Sequence, residues 1–240
     1  MSRAADTGQR RQQRHRQHRY LMTSSPTSQD NPDSEEPVVL VVDDDLSIRT
    51  ALDSLFRSVG LRSALFDSAA AFLRGNLPDA PTCLILDVRL QGMSGFDLQA
   101  ELTKENVRIP IIFMTAYADV PMSVRAMKSG AFDFISKPFR DQDLLEAVHG
   151  ALERDRRQRV SDKRASGLKA RFELLTARER EVMTYVIEGH MNKQIAHELG
   201  LSEITVKLHR GNVMRKMAAQ SLPDLVRMAE ALQLRSARRT

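Results

Sequence analysis

Acidic side chains follow two apolar segments that are far apart in this 240-residue chain. Asp43, Asp44 and Asp45 come directly after Val-Val-Leu-Val-Val, and Asp87 ends the segment Cys-Leu-Ile-Leu-Asp. Carboxylates held close together repel one another unless a cation neutralises them, and a site of carboxylate oxygens and water suits Mg²⁺. If the two segments are neighbouring strands, the sequence therefore predicts a magnesium site at their carboxyl ends.

A hydroxyl group and an ammonium group end two further apolar segments. Thr115 follows Ile-Ile-Phe-Met, and Lys137 follows Phe-Ile-Ser. With the carboxylates they favour phosphoryl transfer to a carboxylate, for which Asp87 is the candidate nucleophile. Thr115 would donate a hydrogen bond to a phosphoryl oxygen, and Lys137 would pair with the phosphoryl charge. Asp44 would hold Mg²⁺, with Asp43 assisting through water.

Each of these signals is weak when it stands alone. Paired aspartates after a strand often form a turn or a helix cap, and Asp45 is interpreted mainly as a helix N-cap. The functional interpretation rests on position, because the candidate residues fall at the ends of predicted strands one, three, four and five.

Five short apolar segments alternate with five amphipathic helical segments between Pro37 and Leu152. Such alternation indicates βαβ units and a five-stranded parallel sheet covered on both faces. Right-handed crossovers then give a doubly wound α/β fold, in which polar chemistry collects where the strand order reverses. The predicted strands are 38–42, 62–66, 83–86, 109–114 and 132–136, and the predicted helices are 46–59, 69–76, 95–105, 120–129 and 141–152.

Four motifs closely resemble those of response-regulator receiver domains. They are Val-Val-Asp43-Asp44-Asp45, Leu-Asp87-Val-Arg-Leu-Gln-Gly-Met-Ser-Gly, Pro-Ile-Ile-Phe-Met-Thr115-Ala and Phe134-Ile-Ser-Lys137-Pro-Phe. The resemblance covers about residues 37–152 and implies a flavodoxin-like fold with Asp87 as the phosphoacceptor. It also implies that Mg²⁺ is bound by Asp44, Asp87 and the Arg89 carbonyl, with Asp43 assisting.

The stretch from Asp119 to Ala131 is particularly similar to the FixJ-type subgroup of these regulators. In that subgroup, phosphorylation promotes dimerisation through the fourth helix and the fifth strand. The switch pair implied by the resemblance is Thr115 and Phe134, whose ring turns inward when Thr115 moves toward the phosphoryl group. Simple core packing is the alternative role for Phe134.

The rest of the chain divides by composition and charge. Residues 1–36 are poor in apolar side chains and are predicted to form a disordered arm, with Met22 as an alternative start. Residues 37–152 carry 11 basic and 15 acidic side chains, whereas the predicted linker, residues 153–171, carries 8 and 3. Residues 172–240 form the predicted helical domain and carry 11 basic and 8 acidic side chains. The acidic block suits a cation, and the basic blocks suit a polyanion such as nucleic acid.

Short helical patterns and a Gly-containing turn predict a helix-turn-helix in the last of these segments. Thr176 and Glu179 form a capping-box pattern, and Ser202 caps a later helix. The motifs Thr-Ala-Arg-Glu-Arg-Glu-Val, Asn-Lys-Gln-Ile-Ala and Ser-Glu-Ile-Thr-Val-Lys-Leu-His-Arg are similar to the LuxR-type helix-turn-helix. The similarity implies four helices with the third in the major groove of DNA; the last three are predicted over residues 192–199, 203–217 and 223–232.

The third of these helices carries cations that suit DNA, although a cationic solvated helix is the alternative. Base readout is predicted for Lys207 and the positions around Leu208 and Gly211. Phosphate contacts are predicted for Lys193, Arg210 and Lys216. His209 is assigned a surface or groove-facing position. The full predicted DNA-contacting set is Lys193, Thr205, Lys207, Leu208, Arg210, Gly211 and Lys216.

These inferences predict a transcriptional regulator that is controlled by phosphorylation. A sensor histidine kinase would phosphorylate Asp87, and the protein would then form a homodimer and bind double-stranded promoter DNA. RNA polymerase is considered as a further partner. No enzyme activity is expected. No membrane partner is expected either, since no apolar run approaches a transmembrane length. The expected location is cytoplasmic. The alternatives are a phosphatase or phosphotransferase with an aspartyl-phosphate intermediate, and an output domain that binds RNA or protein.

Overall fold

The computed structural model describes residues 36–234. The chain forms two compact units, with the boundary between Gln158 and Arg159. The predicted arm of residues 1–36, with its alternative start at Met22, lies outside the described residues except for Glu36. Among the helices within 36–234, none combines the length and the apolar character needed to cross a membrane.

The first unit is built on a parallel sheet. Its strands are β1 (Val38–Val42), β2 (Arg62–Phe66), β3 (Thr82–Asp87), β4 (Ile111–Thr115) and β5 (Asp133–Ser136). They lie in the order β2-β1-β3-β4-β5, and every neighbouring pair is parallel. From β1 the chain moves to one side to form β2 and then to the other side to form β3. The predicted doubly wound α/β fold is therefore confirmed.

Helices cover both faces of this sheet. They are α1 (Leu46–Ser58), α2 (Ala69–Arg74), α3 (Gly95–Lys104), α4 (Val120–Lys128) and α5 (Asp141–Glu173). The residue before each of the first four helices accepts a hydrogen bond from a backbone N–H of the first turn, through the side chains of Asp45, Ser68, Ser94 and Asp119. Such N-caps satisfy donors that have no partner within the helix. The predicted cap role of Asp45 is confirmed.

Two hydrophobic cores lie on opposite faces of the sheet. Because side chains alternate along a strand, Leu40 belongs to one core and its neighbour Val41 to the other. Phe96 of α3 packs in the first core, and Phe56 of α1 and Leu144 of α5 pack in the second. Burial on both faces explains why the central strands read as continuous apolar runs.

The main difference from the predicted elements concerns α5, which begins in the first unit and continues past its boundary. The sequence predicts a linker over residues 153–171 that is helical at its start, but α5 continues without a break to Glu173. Gly167 does not interrupt it, and charged side chains one turn apart pair along it, such as Arg157 with Glu153 at 2.7 Å. Pairs of this kind support the charged stretch, and Leu168 and Phe172 near the end of the helix pack against apolar side chains. The domain boundaries themselves stay a prediction.

The second unit contains α6 (Ala177–Ile187), α7 (Asn192–Leu199), α8 (Glu203–Met217) and α9 (Leu222–Ala231). Val182 of α6, Ile195 of α7 and Val206 of α8 meet in one core. Gly200 joins α7 to α8 with a φ of 62°, a left-handed conformation that glycine adopts without a Cβ clash. The predicted helix-turn-helix is confirmed, and Ser202 caps α8 as predicted.

Gly95, the first residue of α3, approaches the backbone of the predicted nucleophile closely. An added Cβ would collide with the carbonyl oxygen of Asp87 and lie 3.1 Å from the Leu86 side chain. We expect Gly95→Ala to lower the free energy of unfolding of the first unit by about 1–3 kcal/mol, as overpacking usually does. Chemical unfolding of the full chain measures this loss.

Gly167→Ala is the control for that substitution, because a Cβ at Gly167 meets no atom within 4 Å and alanine favours a helix over glycine. Equal losses of stability in the two variants would contradict the steric explanation.

Candidate functional site

The carboxyl ends of β1 and β3 bring three carboxylates together. Val42 and Leu86 are paired across the two strands, so Asp43 and Asp87 follow at the same edge. Oxygens of Asp43, Asp44 and Asp87 lie within 4.8 Å of one another. The strand order reverses at this edge, which is the usual binding position in open parallel sheets. The structure thus assembles the acidic cluster that the sequence predicts.

Lys137, which follows β5, bridges two of these carboxylates. Its Nζ atom lies 2.7 Å from Oδ2 of Asp43 and 2.7 Å from Oδ2 of Asp87. The Lys137 backbone N–H donates to the Thr115 carbonyl at 2.7 Å, and Thr115 is fully buried at the end of β4. The peptide bond between Lys137 and Pro138 is cis. The hydroxyl, the ammonium and the carboxylates therefore occupy one edge of the sheet.

Burial and charge act in opposite directions on the ionisable groups of this edge. Burial raises the pKa of the Asp43 carboxyl, and the hydrogen bond from Lys137 only partly offsets it. Burial lowers the pKa of Lys137, but the hydrogen bonds and charges of Asp43 and Asp87 together outweigh it and leave that pKa raised. The Lys137 ammonium is therefore charged at neutral pH. One ammonium against three carboxylates leaves an excess of negative charge that attracts a cation.

Backbone amides hold two of the acidic side chains in place. The Asp45 N–H donates to Oδ1 of Asp43 at 2.9 Å, and the Arg89 N–H donates to Oδ1 of Asp87 at 2.9 Å. Each of these two carboxylates thus has one oxygen on a backbone amide and the other on Lys137. Such bonds fix the direction in which the Asp87 carboxylate faces. The predicted ligand role of the Arg89 carbonyl stays a prediction.

An arginine and a tyrosine stack beside the acidic cluster. The guanidinium carbon of Arg89 lies 4.1 Å from the centre of the Tyr117 ring, and the Tyr117 N–H donates to Oγ1 of Thr115 at 3.3 Å. Sequence reasoning missed Tyr117. The available signal was its spacing. Asp87 and Thr115 end neighbouring strands, and Arg89 and Tyr117 follow them by two positions each.

Phe134, the aromatic member of the predicted switch pair, is half-buried in β5. It packs against the core on one face of the sheet and pairs with Phe113 of β4, two residues before Thr115. A ring in this position suits both core packing and a change of rotamer. The switch role stays a prediction.

A second candidate site lies on α8, whose inward and outward faces differ. Val206, Val213 and Met217 are buried in the core of the second unit. Ile204 is 82% exposed and Leu208 is 63% exposed. Positions three, four or seven residues apart share one face of a helix. The exposed face that results contains Glu203, Ile204, Lys207, Leu208, Gly211 and Arg215. Sequence reasoning assigned no DNA contact to Ile204.

The predicted DNA-contacting residues differ in their solvent exposure and in the contacts that they make within the second unit. Lys193 and Lys207 are exposed. Arg210 donates to the side chain of Asn192 at 3.1 Å and so ties α8 to α7. Thr205 is half-buried. His209, assigned to a surface or groove-facing position, is half-buried, and within 36–234 its Nδ1 finds no hydrogen-bond partner.

Lys216, which is partly buried, forms an ion pair with the buried Glu179 inside the second unit. Its Nζ atom lies 2.6 Å from Oε2 of Glu179 and 3.1 Å from the carbonyl oxygen of Leu174. Burial raises the pKa of Glu179, but the hydrogen bonds from Lys216 and Thr176, with the charge of Lys216, outweigh burial and leave that pKa lowered. The pair joins α6, α8 and the residue that follows α5. The contact of Lys216 with a DNA phosphate stays a prediction.

Two family models match this chain. The response regulator receiver domain matches residues 39–149, and the luxR family of bacterial regulatory proteins matches residues 173–229. The chain is 56% identical to nodulation protein W of Bradyrhizobium diazoefficiens over 199 residues, which cover 83% of this chain and 88% of that protein. It is 44% identical to the transcriptional regulatory protein FixJ of Azorhizobium caulinodans over 191 residues, which cover 80% of this chain and 90% of that protein. The structure of the response regulator StyR is similar, with a TM-score of 0.77 and 47% identity over 81% of this chain and 98% of that one.

The Glu179–Lys216 pair predicts a pH-dependent contribution to the stability of the second unit. Because the folded pKa of Glu179 lies below its ordinary value of 4.5, the unfolded state takes up the proton first as the pH falls. The contribution is therefore complete above that value and is lost as the pH falls through the folded pKa. We expect Lys216→Met to lower the free energy of unfolding by about 3 kcal/mol at pH 7 and by less in acid. Hydrogen exchange of the amides in α6 and α8 measures it.

Lys207→Met is the matched control, because it removes an exposed cation from the same helix. Its stability should stay within about 0.5 kcal/mol of the wild type. Similar and pH-independent losses in both variants would argue against the ion pair.

Proposed function

Because this chain belongs to the FixJ-like response regulators, transcriptional regulators that join a receiver domain to a LuxR-type DNA-binding domain, we propose that Asp87 accepts a phosphoryl group from a sensor histidine kinase. The receiver domain implies a histidine kinase as partner, and the LuxR-type domain implies DNA binding. The proposal is carried by one observation, the Lys137 ammonium that lies 2.7 Å from both Asp43 and Asp87.

In the proposed reaction an oxygen of the Asp87 carboxylate attacks the phosphorus atom of a phosphohistidine. The P–O bond forms as the P–N bond breaks; the departing ring nitrogen keeps the bonding electron pair, and the proton on the other ring nitrogen lets the histidine leave as a neutral imidazole. Lys137, which bridges two carboxylates before the reaction, then pairs with negative oxygens of the phosphoryl group. The Thr115 hydroxyl donates a hydrogen bond to another of these oxygens.

The donors of the acidic cluster fit a magnesium ion. Asp43, Asp44 and Asp87 offer only oxygen atoms, grouped within 4.8 Å, and Mg²⁺ favours carboxylate oxygens together with retained water. We propose Asp44, Asp87 and the Arg89 carbonyl as direct ligands, with Asp43 acting through water. When bound, Mg²⁺ supplies positive charge between the carboxylates and the phosphoryl oxygens.

The signal is proposed to leave the receiver domain through Thr115 and Phe134. A phosphoryl oxygen that draws the Thr115 hydroxyl toward it frees space beside β4, and the half-buried ring of Phe134 turns into that space. The surface of α4 and β5 changes as a result, and it is the proposed dimerisation surface. Two DNA-binding units linked in a dimer bind paired half-sites with an avidity that neither has alone. RNA polymerase is a proposed further partner at the promoter.

We expect Asp87→Asn to abolish phosphorylation by acetyl phosphate in the presence of Mg²⁺, since an amide has no carboxylate oxygen to act as the nucleophile. Intact-protein mass spectrometry detects the modification, and analytical ultracentrifugation detects dimerisation. In the wild type, phosphorylation should raise affinity for a two-half-site promoter duplex by about 100-fold, the lower end of bivalent enhancement.

Asp67→Asn, which alters an exposed aspartate, serves as the control and should be phosphorylated like the wild type. Dimerisation of Asp87→Asn in response to acetyl phosphate would refute the assignment of the phosphoacceptor. We also propose that the site turns over only its own phosphoryl group, and steady hydrolysis of an added phosphoester would indicate an enzyme instead.

The Arg89–Tyr117 stack predicts control over the lifetime of the phosphorylated state. We propose that the stacked pair, whose members follow Asp87 and Thr115 by two positions, restricts the access of water to Asp87. We expect Tyr117→Ala to shorten the half-life of the phosphorylated protein by about two- to fivefold, the rate equivalent of an exposed cation–π contact. Tyr117→Phe keeps the ring and should keep the wild-type half-life; a half-life unchanged by the alanine substitution would exclude shielding by the ring.

A further inference from the structure

We infer that Ile204 and Leu208 of α8 read the 5-methyl groups of two thymines in the major groove of the DNA site. The inference rests on the DNA-binding function proposed above and names the feature of the bases that is recognised. Both side chains are largely exposed, at 82% and 63%, and they lie one helical turn apart. Single exposed apolar residues are common on protein surfaces. A contiguous pair in the first two turns of α8 lies where such helices meet base edges.

The opposite side of α8 fixes this pair in an outward position. Val206, Val213 and Met217 are fully buried in the core of the second unit. Rotating the helix to bury Ile204 would bring these three side chains into water, at a cost in apolar burial. The exposed pair therefore contributes nothing to the core and is available to a partner.

The surroundings of the pair suit a polyanion. Lys207 lies between the two apolar residues, and Arg215 continues the same exposed face toward the end of the helix. Lys193 is exposed at the start of α7. Glu203 is also exposed and lies one turn before Lys207, but the cations Lys207 and Arg215 outnumber it among the exposed residues of α8. Cations on the same face can meet phosphates while the apolar side chains meet base edges.

Thymine is the base that fits an aliphatic side chain in the major groove, because its 5-methyl group is the apolar feature of the base edges there. Ile204 and Leu208 are separated by about 6 Å along the helix, and base pairs repeat every 3.4 Å or so. The two thymines are therefore expected within about two base pairs of each other. Gly211 continues the same face without a side chain, so the next position of the site should be read weakly.

The test uses the full-length protein and the duplex that it selects from a random library. Each thymine of that duplex is replaced in turn by deoxyuridine, which removes the 5-methyl group and leaves the hydrogen-bonding edge unchanged. At one or two positions in each half-site, the wild type should lose about fourfold in affinity, the effect of one buried methyl group.

Ile204→Ala and Leu208→Ala should each weaken binding to the thymine duplex by a similar factor. Each variant should then show no additional loss when deoxyuridine replaces its own thymine, whereas the other position stays sensitive. Leu174→Ala is the matched control, because Leu174 is 66% exposed in the same unit but lies outside α8. It should keep the wild-type profile.

The inference is overturned if the variants bind the selected duplex as tightly as the wild type, or if they keep the full sensitivity to deoxyuridine at every position. Unchanged affinity would assign the apolar pair to a protein partner. Failure of the wild type to select any duplex sequence is a separate result, because it would overturn the DNA-binding function itself.

Discussion

Three carboxylates meet at one edge of the sheet, and the ammonium of Lys137 makes that arrangement tenable. Asp43 and Asp87 lie 94 and 50 residues before Lys137 in the chain. Only the fold therefore brings these two carboxylates and the ammonium together. The paired ends of β1 and β3 place the two carboxylates side by side, and the pairing of Thr115 with Ser136 carries β5 to the same edge. The register of the whole sheet is therefore a condition for the charge balance of the site.

The bridge has a chemical as well as a structural consequence. Lys137 holds both carboxylates through charge-assisted hydrogen bonds, which are stronger than neutral ones, and the raised pKa keeps it charged. A phosphoryl group on Asp87 would convert the carboxylate that Lys137 holds into an acyl phosphate, a mixed anhydride whose negative oxygens lie further out. The ammonium would then keep its charge partner by a short movement, whereas a neutral donor would lose much of the attraction.

Much of the receiver unit was predictable because its three central strands, β1, β3 and β4, are buried on both faces. The bounds of β1 match the predicted segment, since its continuous apolar run is buried throughout and leaves little choice of position. The continuation of α5 to Glu173 was not predictable in the same way. Apolar periodicity reports burial, and a solvent-exposed charged helix has none to report. The stack of Arg89 on Tyr117 was missed for a related reason, because it joins two loops whose distance depends on the register of β3 and β4.

In the second unit the sequence predicted which helix carries the candidate DNA contacts, but not how each side chain is used. Lys207 and Lys216 are both cations of α8, yet the first is exposed and the second is bound to Glu179. Which role applies depends on the face of the helix, and the face is set by the buried positions Val206, Val213 and Met217. Residues on the exposed face carry little of the stability of the fold. If these residues contact DNA as proposed, their identities would change the DNA sequence that is read while the core that presents them stays the same.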